Sequence, residues 1–169
     1  ISPYVGGRSQ AAGLGPTYKL SSNESPLGPS ARAIAAFQQT ATSMHLYPES
    51  SCASLRKAIG DTWGLNPERI ICGNGSDEIL HLLPQIYVGP GDEIIFSEHG
   101  FLVYKIVTLA ASATPVVVPE PDLRTDIDGI LKRVTDRTKI VFLTNPNNPT
   151  GSYNTPTELR RLRAGLPKD

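Results

Sequence analysis

The stretch KIVFLTNPNNPTG, residues 139–151, joins an apolar run to a loop that contains three asparagines and two prolines. The apolar run predicts a buried strand, because a strand covered on both faces reads as continuously hydrophobic. A turn needs one Asn or Gly and sometimes a Pro, so this loop carries more polar side chains than turning requires. The amides therefore either bond their own backbone in an elaborate turn or hold a ligand, since a carboxamide both donates and accepts hydrogen bonds.

Outward from this stretch, short apolar runs alternate with longer runs of helical spacing. The strand-like runs are residues 69–73, 92–98, 114–120 and 138–143, and the helix-like runs are residues 29–45, 51–64, 76–88, 101–112, 126–135 and a last one from about residue 155. This alternation predicts an α/β fold with a mostly parallel central sheet and helices on both faces. Ligands of such sheets bind beyond the carboxyl ends of the strands, where the asparagine loop lies.

Local signals predict where several of these elements begin and end. Ser51 and Ser76 are expected to cap the helices that follow them, and Gly64 is expected to end the helix before it. Pro115 places the start of pairing in its strand at or after itself, because proline has no N–H to donate.

A second polar loop, CGNGSDE at residues 72–78, runs from a predicted strand through a Gly-Asn-Gly turn into a helix. Its glycines permit positive φ and leave no Cβ in the way of a ligand. The N–H groups of Ser76 and Asp77 are unpaired donors at a helix start, where the dipole favours a phosphate. The alternative is a capped helix after a tight turn. The loop is neither a Walker loop nor a GxGxxG motif.

Composition narrows the possible functions of these 169 residues. Lys+Arg and Asp+Glu balance at 16 each, so no field favours nucleic acid or an anionic membrane. No apolar run approaches the roughly 20 residues of a membrane span. Cys52 and Cys72 lack metal-ligand spacing and are expected to be buried, reduced thiols of a cytoplasmic protein. No closing strand follows the last helix, so we expect an N-terminal portion of a longer protein.

Taken together, the two loops resemble those of a known enzyme family. NPNNPTG resembles the Asn-Pro-x-Asn-Pro-Thr-Gly signature of fold-type I aminotransferases, which use pyridoxal 5′-phosphate, and CGNGSDE is similar to their phosphate-binding turn. Within that family the chain is most similar to the histidinol-phosphate aminotransferases, through KLSSNESPLGPS, LYPES, GPGDEII and EHGFLVY in family order. The resemblance covers essentially the whole chain.

The resemblance implies an aspartate aminotransferase-like fold and a domain plan. Residues 1–28 would form an N-terminal arm, residues 29–45 a first helix linking the arm to the cofactor domain, and residues 46–169 the first half of that large domain. The implied reaction is transamination between L-histidinol phosphate and 2-oxoglutarate in histidine biosynthesis. The implied assembly is a cytoplasmic homodimer.

The resemblance also assigns roles to residues near the cofactor. Asn148 would hydrogen-bond its 3′ oxygen, and Gly75, Ser76 and Asp77 would hold its 5′-phosphate, mainly through backbone N–H groups. Phe101 would stack on the pyridine ring, although family members often have Tyr there, preceded by Pro-Thr where this chain has His-Gly.

Two further roles fall near the N-terminus. Tyr47 would reach across the dimer to the phosphate of the partner's cofactor. Asn23, with Glu24, resembles the segment that covers the substrate.

The catalytic groups of the family have no match in these residues. The Schiff-base lysine, the acid against the pyridine nitrogen and the arginine that binds the substrate carboxylate are all expected beyond Asp169. The lysines present are interpreted as solvated surface residues: Lys19, Lys57, Lys105, Lys132, Lys139 and Lys168. The 169 residues alone are therefore predicted to be inactive, with no catalytic residue and no metal site.

Three alternatives stay open. The chain could belong to a related aromatic aminotransferase or threonine-phosphate decarboxylase. It could be a nucleotide- or NAD-binding domain, which the absence of GxGxxG disfavours. It could also be a non-catalytic module that kept the fold.

Overall fold

A computed structural model describes residues 22–168 of the chain, which divides into two compact units after Cys52. In the first unit, helix α1 spans Ala31–Thr40 and continues into a short 3₁₀ turn. Ser30 caps α1, its hydroxyl oxygen accepting a hydrogen bond from the N–H of Ala33 at 3.2 Å. The helix predicted at residues 29–45 is therefore present, with Ser30 as its cap. Most of the expected arm, residues 1–21, lies outside the described residues.

The second unit alternates helices with strands as the sequence predicts. Its elements are α2 (Ala53–Trp63), α3 (Gly75–Tyr87), β1 (Glu93–Ser97), α4 (Val103–Ala110), β2 (Thr114–Val118), α5 (Ile127–Leu131), β3 (Thr138–Val141) and α6 (Pro156–Gly165). The three strands form a parallel sheet in the order β2-β1-β3. The predicted α/β fold with a parallel sheet is confirmed.

The core lies in two layers, one on each face of β1. Ile94 and Phe96 point into the layer formed with α3 and α4. Ile95 points the other way, against Ile130 of α5 and Leu162 of α6. Successive side chains of a strand alternate between faces, and helices cover both faces here. All five residues of β1 are consequently buried.

The strand predicted at residues 69–73 is not formed. The backbone there is extended, with φ −110° and ψ 129° at Ile70, but no strand pairs with it within residues 22–168. A strand needs a neighbour to receive its backbone hydrogen bonds. Ile71 is accordingly 84% exposed.

Two predicted helix caps are wrong by one or two residues. The hydroxyl of Ser51 donates to the carboxylate of Glu49 at 3.1 Å, and α2 begins two residues later. Asn74 occupies the cap position of α3, so Ser76 lies inside the first turn. Asn74 makes no side-chain cap bond, and in both places a serine nearby does not set the boundary.

Of the other two boundary predictions, the one for Gly64 is confirmed and the one for Pro115 is wrong by one residue. Gly64 adopts φ 66° directly after α2, and the N–H of Leu65 donates to the carbonyl of Gly60 at 3.0 Å, as in a Schellman ending. Pairing in β2 begins at Thr114, one residue before Pro115. Pro115 is tolerated because β2 lies at an edge of the described sheet.

Candidate functional site

The loops after the three strands meet at the carboxyl edge of the sheet. They comprise residues 98–102 after β1, residues 119–126 after β2 and residues 142–155 after β3. Because the strands are parallel neighbours, these loops lie side by side at the edge where α/β proteins bind ligands. Two predicted cofactor contacts, Phe101 and Asn148, lie in them.

The asparagines of the loop after β3 have different tasks. The side chain of Asn145 forms two hydrogen bonds with the backbone of Asn154. Its amide nitrogen donates to the carbonyl of Asn154 at 3.1 Å, and its oxygen accepts from the N–H of Asn154 at 2.7 Å. Asn147 is buried and donates to the hydroxyl of Thr150 at 3.0 Å. Asn148 has no hydrogen-bond partner among the described residues and is half-buried. Two amides therefore build the loop, and the side chain of Asn148 makes no hydrogen bond within the described residues.

The backbone of this loop is closed by its own hydrogen bonds. The N–H of Asn147 donates to the carbonyl of Ser152 at 2.8 Å, and the N–H of Gly151 returns to the carbonyl of Asn147 at 2.8 Å. Gly151 adopts φ 72°, which favours glycine. The hydroxyl of Ser152 donates to the carbonyl of Leu123 in the neighbouring loop at 2.8 Å. Asn148 thus projects from a loop whose path is set by its neighbours.

Phe101 is joined to the asparagine loop through Tyr104. The ring of Phe101 meets the ring of Tyr104 edge-on, with centroids 6.0 Å apart. Tyr104 stacks on Phe142 at 4.6 Å, and its hydroxyl is hydrogen-bonded to the hydroxyl of Thr144. The start of α4 and the start of the asparagine loop consequently share one aromatic group.

The start of α3 has free backbone donors and open space beside them. Gly75 adopts φ 74° with nothing within 4 Å of where a Cβ would be. The N–H groups of Ser76 and Asp77 have no hydrogen-bond partner within residues 22–168. The carboxylate of Glu78 folds back onto the turn before α3, accepting from the N–H of Asn74 at 2.6 Å and from its side-chain amide at 3.1 Å. The N–H groups of Ser76 and Asp77 remain free at the helix start, and the nearby Glu78 carboxylate is hydrogen-bonded to Asn74.

Gly73 is required for a different reason from the one that the sequence suggested. A Cβ at Gly73 would lie 2.9 Å from Glu78 Oε2 and 3.0 Å from the end of the Ile79 side chain. Its small size lets Glu78 fold back onto the turn, and φ is positive at Gly75 alone of the two.

The remaining predicted contacts belong to the first unit. The side chain of Tyr47 is fully exposed, and Asn23 is exposed with φ 55°. Their roles stay predictions.

Sequence reasoning missed Glu120, two residues after the end of β2. Its side chain is fully buried. Its oxygens accept from the N–H of His99 at 3.2 Å, the ring Nδ1 of His99 at 3.0 Å, the hydroxyl of Thr125 at 3.3 Å and the amide of Asn147 at 3.3 Å. The available signal was an acid just behind an apolar strand at the ligand-binding edge.

A cavity of about 350 Å³ borders the loops after β2 and β3 and is lined by residues between Pro121 and Asp128 together with Ser152, Glu158 and Arg161. None of the predicted cofactor contacts lines it. Four of its charged side chains are paired within the protein, Glu158 with Arg124 at 2.6 Å and Asp128 with Arg161 at 2.8 Å. We therefore do not regard it as the candidate site.

Two searches of the described part of the chain gave negative results. Within it, no group of three or more His, Cys, Asp or Glu side chains could hold a metal ion. No helix there is long and apolar enough to cross a membrane.

Comparison with known proteins gives consistent matches. The family model described as aminotransferase class I and II matches residues 16–168. The chain is 58% identical over 168 residues to a histidinol-phosphate aminotransferase of Rhodopseudomonas palustris, covering 99% of this chain and 46% of that protein. It is 54% identical over 167 residues to the protein of that name from Rhodospirillum centenum, with the same two coverages. The chain thus spans about half the length of the curated relatives it matches.

Solved structures show the same fold. The histidinol-phosphate aminotransferase of Sinorhizobium meliloti, solved in complex with pyridoxal-5′-phosphate, superposes with a TM-score of 0.83 at 28% identity, over 86% of this chain and 40% of that one. An alanine aminotransferase of Pyrococcus furiosus superposes with a TM-score of 0.71 at 28% identity, over 79% of this chain and 37% of that one.

Proposed function

Because the chain belongs to the aminotransferase class I and II family, we propose that it forms part of a pyridoxal 5′-phosphate-dependent enzyme that transfers the amino group of L-histidinol phosphate to 2-oxoglutarate. The observation that carries this proposal is the 54–58% identity, over 99–100% of the chain, to proteins named histidinol-phosphate aminotransferase. The reaction belongs to histidine biosynthesis, and these residues supply part of the cofactor site.

The described residues fit this cofactor. A phosphate suits the free N–H groups of Ser76 and Asp77, where the helix dipole adds about half a positive charge. A ring oxygen suits the unpartnered amide of Asn148, which can donate to it without bringing a charge. Phe101 supplies an aromatic face that is only partly buried.

In the proposed site these residues bind the cofactor, orient its ring and cover one of its faces. Ser76 and Asp77 anchor the phosphate end, while Asn148 fixes the rotation of the ring by holding its oxygen. Phe101 covers one face of the ring and excludes water from it. When bound, the cofactor supplies an electron sink that lets an amino group leave one carbon skeleton and join another.

Other groups complete the proposed enzyme. The lysine, the pyridine-nitrogen acid and the carboxylate-binding arginine belong to the longer chain beyond Asp169. Tyr47 contacts the phosphate in the partner subunit of a homodimer, for which its full exposure leaves it available. Asn23 contributes to the cover over the substrate. The enzyme acts in the cytoplasm.

Asn148→Ala in the full-length protein tests the cofactor site. We expect the Kd for pyridoxal phosphate to rise about tenfold, the equivalent of one lost hydrogen bond. The melting temperature without cofactor should stay unchanged, because Asn148 bonds nothing among the described residues. Gln85→Ala is the control, since it removes an exposed amide from α3 and should leave the Kd unchanged.

The substrate is tested on the unaltered full-length protein with histidinol phosphate, phenylalanine and threonine phosphate. Turnover should be fastest with histidinol phosphate and 2-oxoglutarate. Preference for phenylalanine, or release of CO₂ from threonine phosphate, would instead assign the protein to one of the related enzymes.

For the cofactor-site test, an unchanged Kd in Asn148→Ala would show that Asn148 does not contact the cofactor.

A further inference from the structure

Glu120 joins the loops that follow all three strands. It belongs to the loop after β2, it bonds His99 in the loop after β1, and it bonds Asn147 in the loop after β3. β2 and β3 are not neighbours in the sheet, since β1 lies between them. The carboxylate therefore crosses the carboxyl end of β1 to connect the two outer loops.

The burial of Glu120 makes these bonds costly to lose. Its side chain has no exposed surface, and a buried carboxylate is tolerated only when protein groups replace its lost hydration. Because a carboxylate can only accept, the hydrogen of the His99 ring that faces it must be on Nδ1. Any movement of either loop away from Glu120 would leave a buried oxygen short of donors.

Two of the residues bonded by Glu120 are close in sequence to proposed cofactor contacts, whereas the third, Thr125, lies in the same loop as Glu120. His99 lies two residues before Phe101, and Asn147 directly precedes Asn148. The Asn147 amide is shared between Glu120 and Thr150, so the peptide that leads into Asn148 is held from two sides. Glu120 itself is screened from solvent by the loops it connects.

We propose that Glu120 is a positioning residue: it fixes the Phe101 loop and the Asn148 loop relative to each other, so that ring face and amide meet the cofactor in one geometry. This rests on the cofactor site proposed above. It also gives a role to His99.

The test is Glu120→Gln in the full-length protein. Glutamine has nearly the same shape but only one acceptor oxygen, so it cannot accept from His99 and Asn147 together, and its NH₂ must face one of these donors. One loop should therefore be released.

The matched control is Glu93→Gln. Glu93 is a second buried glutamate, at the other end of β1, and it is paired with Arg137 at 2.5 Å and hydrogen-bonded to Thr135 at 2.7 Å. Both substitutions should lower stability. Only Glu120→Gln should act on the loops at the carboxyl edge.

The first readout needs no cofactor. Hydrogen exchange of the cofactor-free protein should speed up in residues 98–101 or 145–151 of Glu120→Gln, and in neither segment of Glu93→Gln. Equal protection of both segments in the two variants would overturn the proposal, whatever the cofactor does.

The second readout is a double-mutant cycle on the Kd for pyridoxal phosphate. Glu120→Gln and Asn148→Ala should each raise the Kd about tenfold, and the double variant much less than the roughly hundredfold that independent effects would give. A roughly hundredfold rise in the Kd of the double variant would show that Glu120 does not act through Asn148. If Asn148→Ala alone leaves the Kd unchanged, the proposed cofactor contact is wrong. The hydrogen-exchange result then still tests whether Glu120 connects the two loops.

His99→Ala keeps the test decisive if Glu120→Gln does not fold. The His99 side chain is 43% exposed, so its truncation should leave the core intact. It should loosen residues 98–101, and its effect on the Kd should be smaller in a Phe101→Ala background. Independent effects there would count against the proposal.

Discussion

Glu158 is a surface acid whose ionised form is strongly favoured. Hydrogen bonds from the N–H and the hydroxyl of Thr155, and then Arg124, lower the pKa of Glu158 from 4.5 to about 2. Thr155 in turn caps α6, its hydroxyl oxygen accepting from the N–H of Glu158 at 3.3 Å, so the two residues form a capping box.

The lowered pKa predicts how this residue responds to acid. A depressed carboxyl pKa stabilises the fold above the unfolded value, and that contribution is lost as the pH falls from about 4.5 to about 2. Glu158→Gln should therefore unfold more readily than the unaltered protein near neutral pH, with the difference shrinking over this range. Melting temperatures across this interval measure it. A constant difference at every pH would contradict the assignment.

At this level the sequence could not separate the asparagines of one loop. Asn145, Asn147 and Asn148 are chemically identical, and their tasks depend on where Asn154 and Glu120 arrive. The resemblance selected Asn148, and its ligand contact stays a prediction. The structure adds that the other two amides are engaged in the fold.

The end of α2 shows how an element depends on one small residue. A Cβ on Gly60 would lie 2.8 Å from the carbonyl oxygen of Leu65 and 2.8 Å from the Pro67 ring. The Leu65 oxygen is backbone, and the N–H of Leu65 is bonded to Gly60, so the turn cannot move aside without losing its closing bond.

We therefore expect Gly60→Ala to lower the free energy of unfolding by about 1–2 kcal/mol, because overpacking outweighs the better helix propensity of alanine. Urea titration measures the change. Gly89→Ala is the control, since nothing lies within 4 Å of its Cβ position, and it should stay within about 0.5 kcal/mol of the parent. A Gly60→Ala protein as stable as this control would show that the turn can rearrange to accommodate the added methyl group.

Element types were more predictable than their ends or partners. The continuous apolar runs of β1 and β3 and the capping residues of α6 carry their signal locally. The segment at residues 69–73 has a strand-like composition too, but pairing is a property of two segments and no local pattern supplies the second. The caps expected at Ser51 and Ser76 failed because several residues near a helix start compete for the position.

For the whole molecule, the strongest expectation concerns the 169 residues made alone. Lys57 is the one lysine preceded by a serine at the Ser-x-x-Lys spacing, but it lies in α2, ahead of the asparagine loop, and is paired with Asp61 at 2.6 Å. The 169 residues should therefore catalyse no transamination. After incubation with pyridoxal phosphate and dialysis they should keep no visible absorbance band. The full-length protein, treated in parallel, should keep both activity and band. A band that survives dialysis of the short chain would overturn this expectation.

The global arrangement was predictable because one rule covers it: alternating strands and helices give a parallel sheet with its ligand edge at the strand ends. The link through Glu120 was not predictable, because it joins residues 21 and 27 positions apart across three strands. The sequence marks Glu120 only as one acid among many.

The central place of β1 also bears on how the protein is made. β1 is translated before both strands that flank it. Its apolar middle residues, 94–96, therefore have no neighbouring strand until β2 and β3 are synthesised. At about 5–20 residues per second, a ribosome needs roughly 2–9 s to pass from Glu93 to Thr138. During that interval the nascent chain presents an unfinished sheet, which makes this segment a natural client for chaperones.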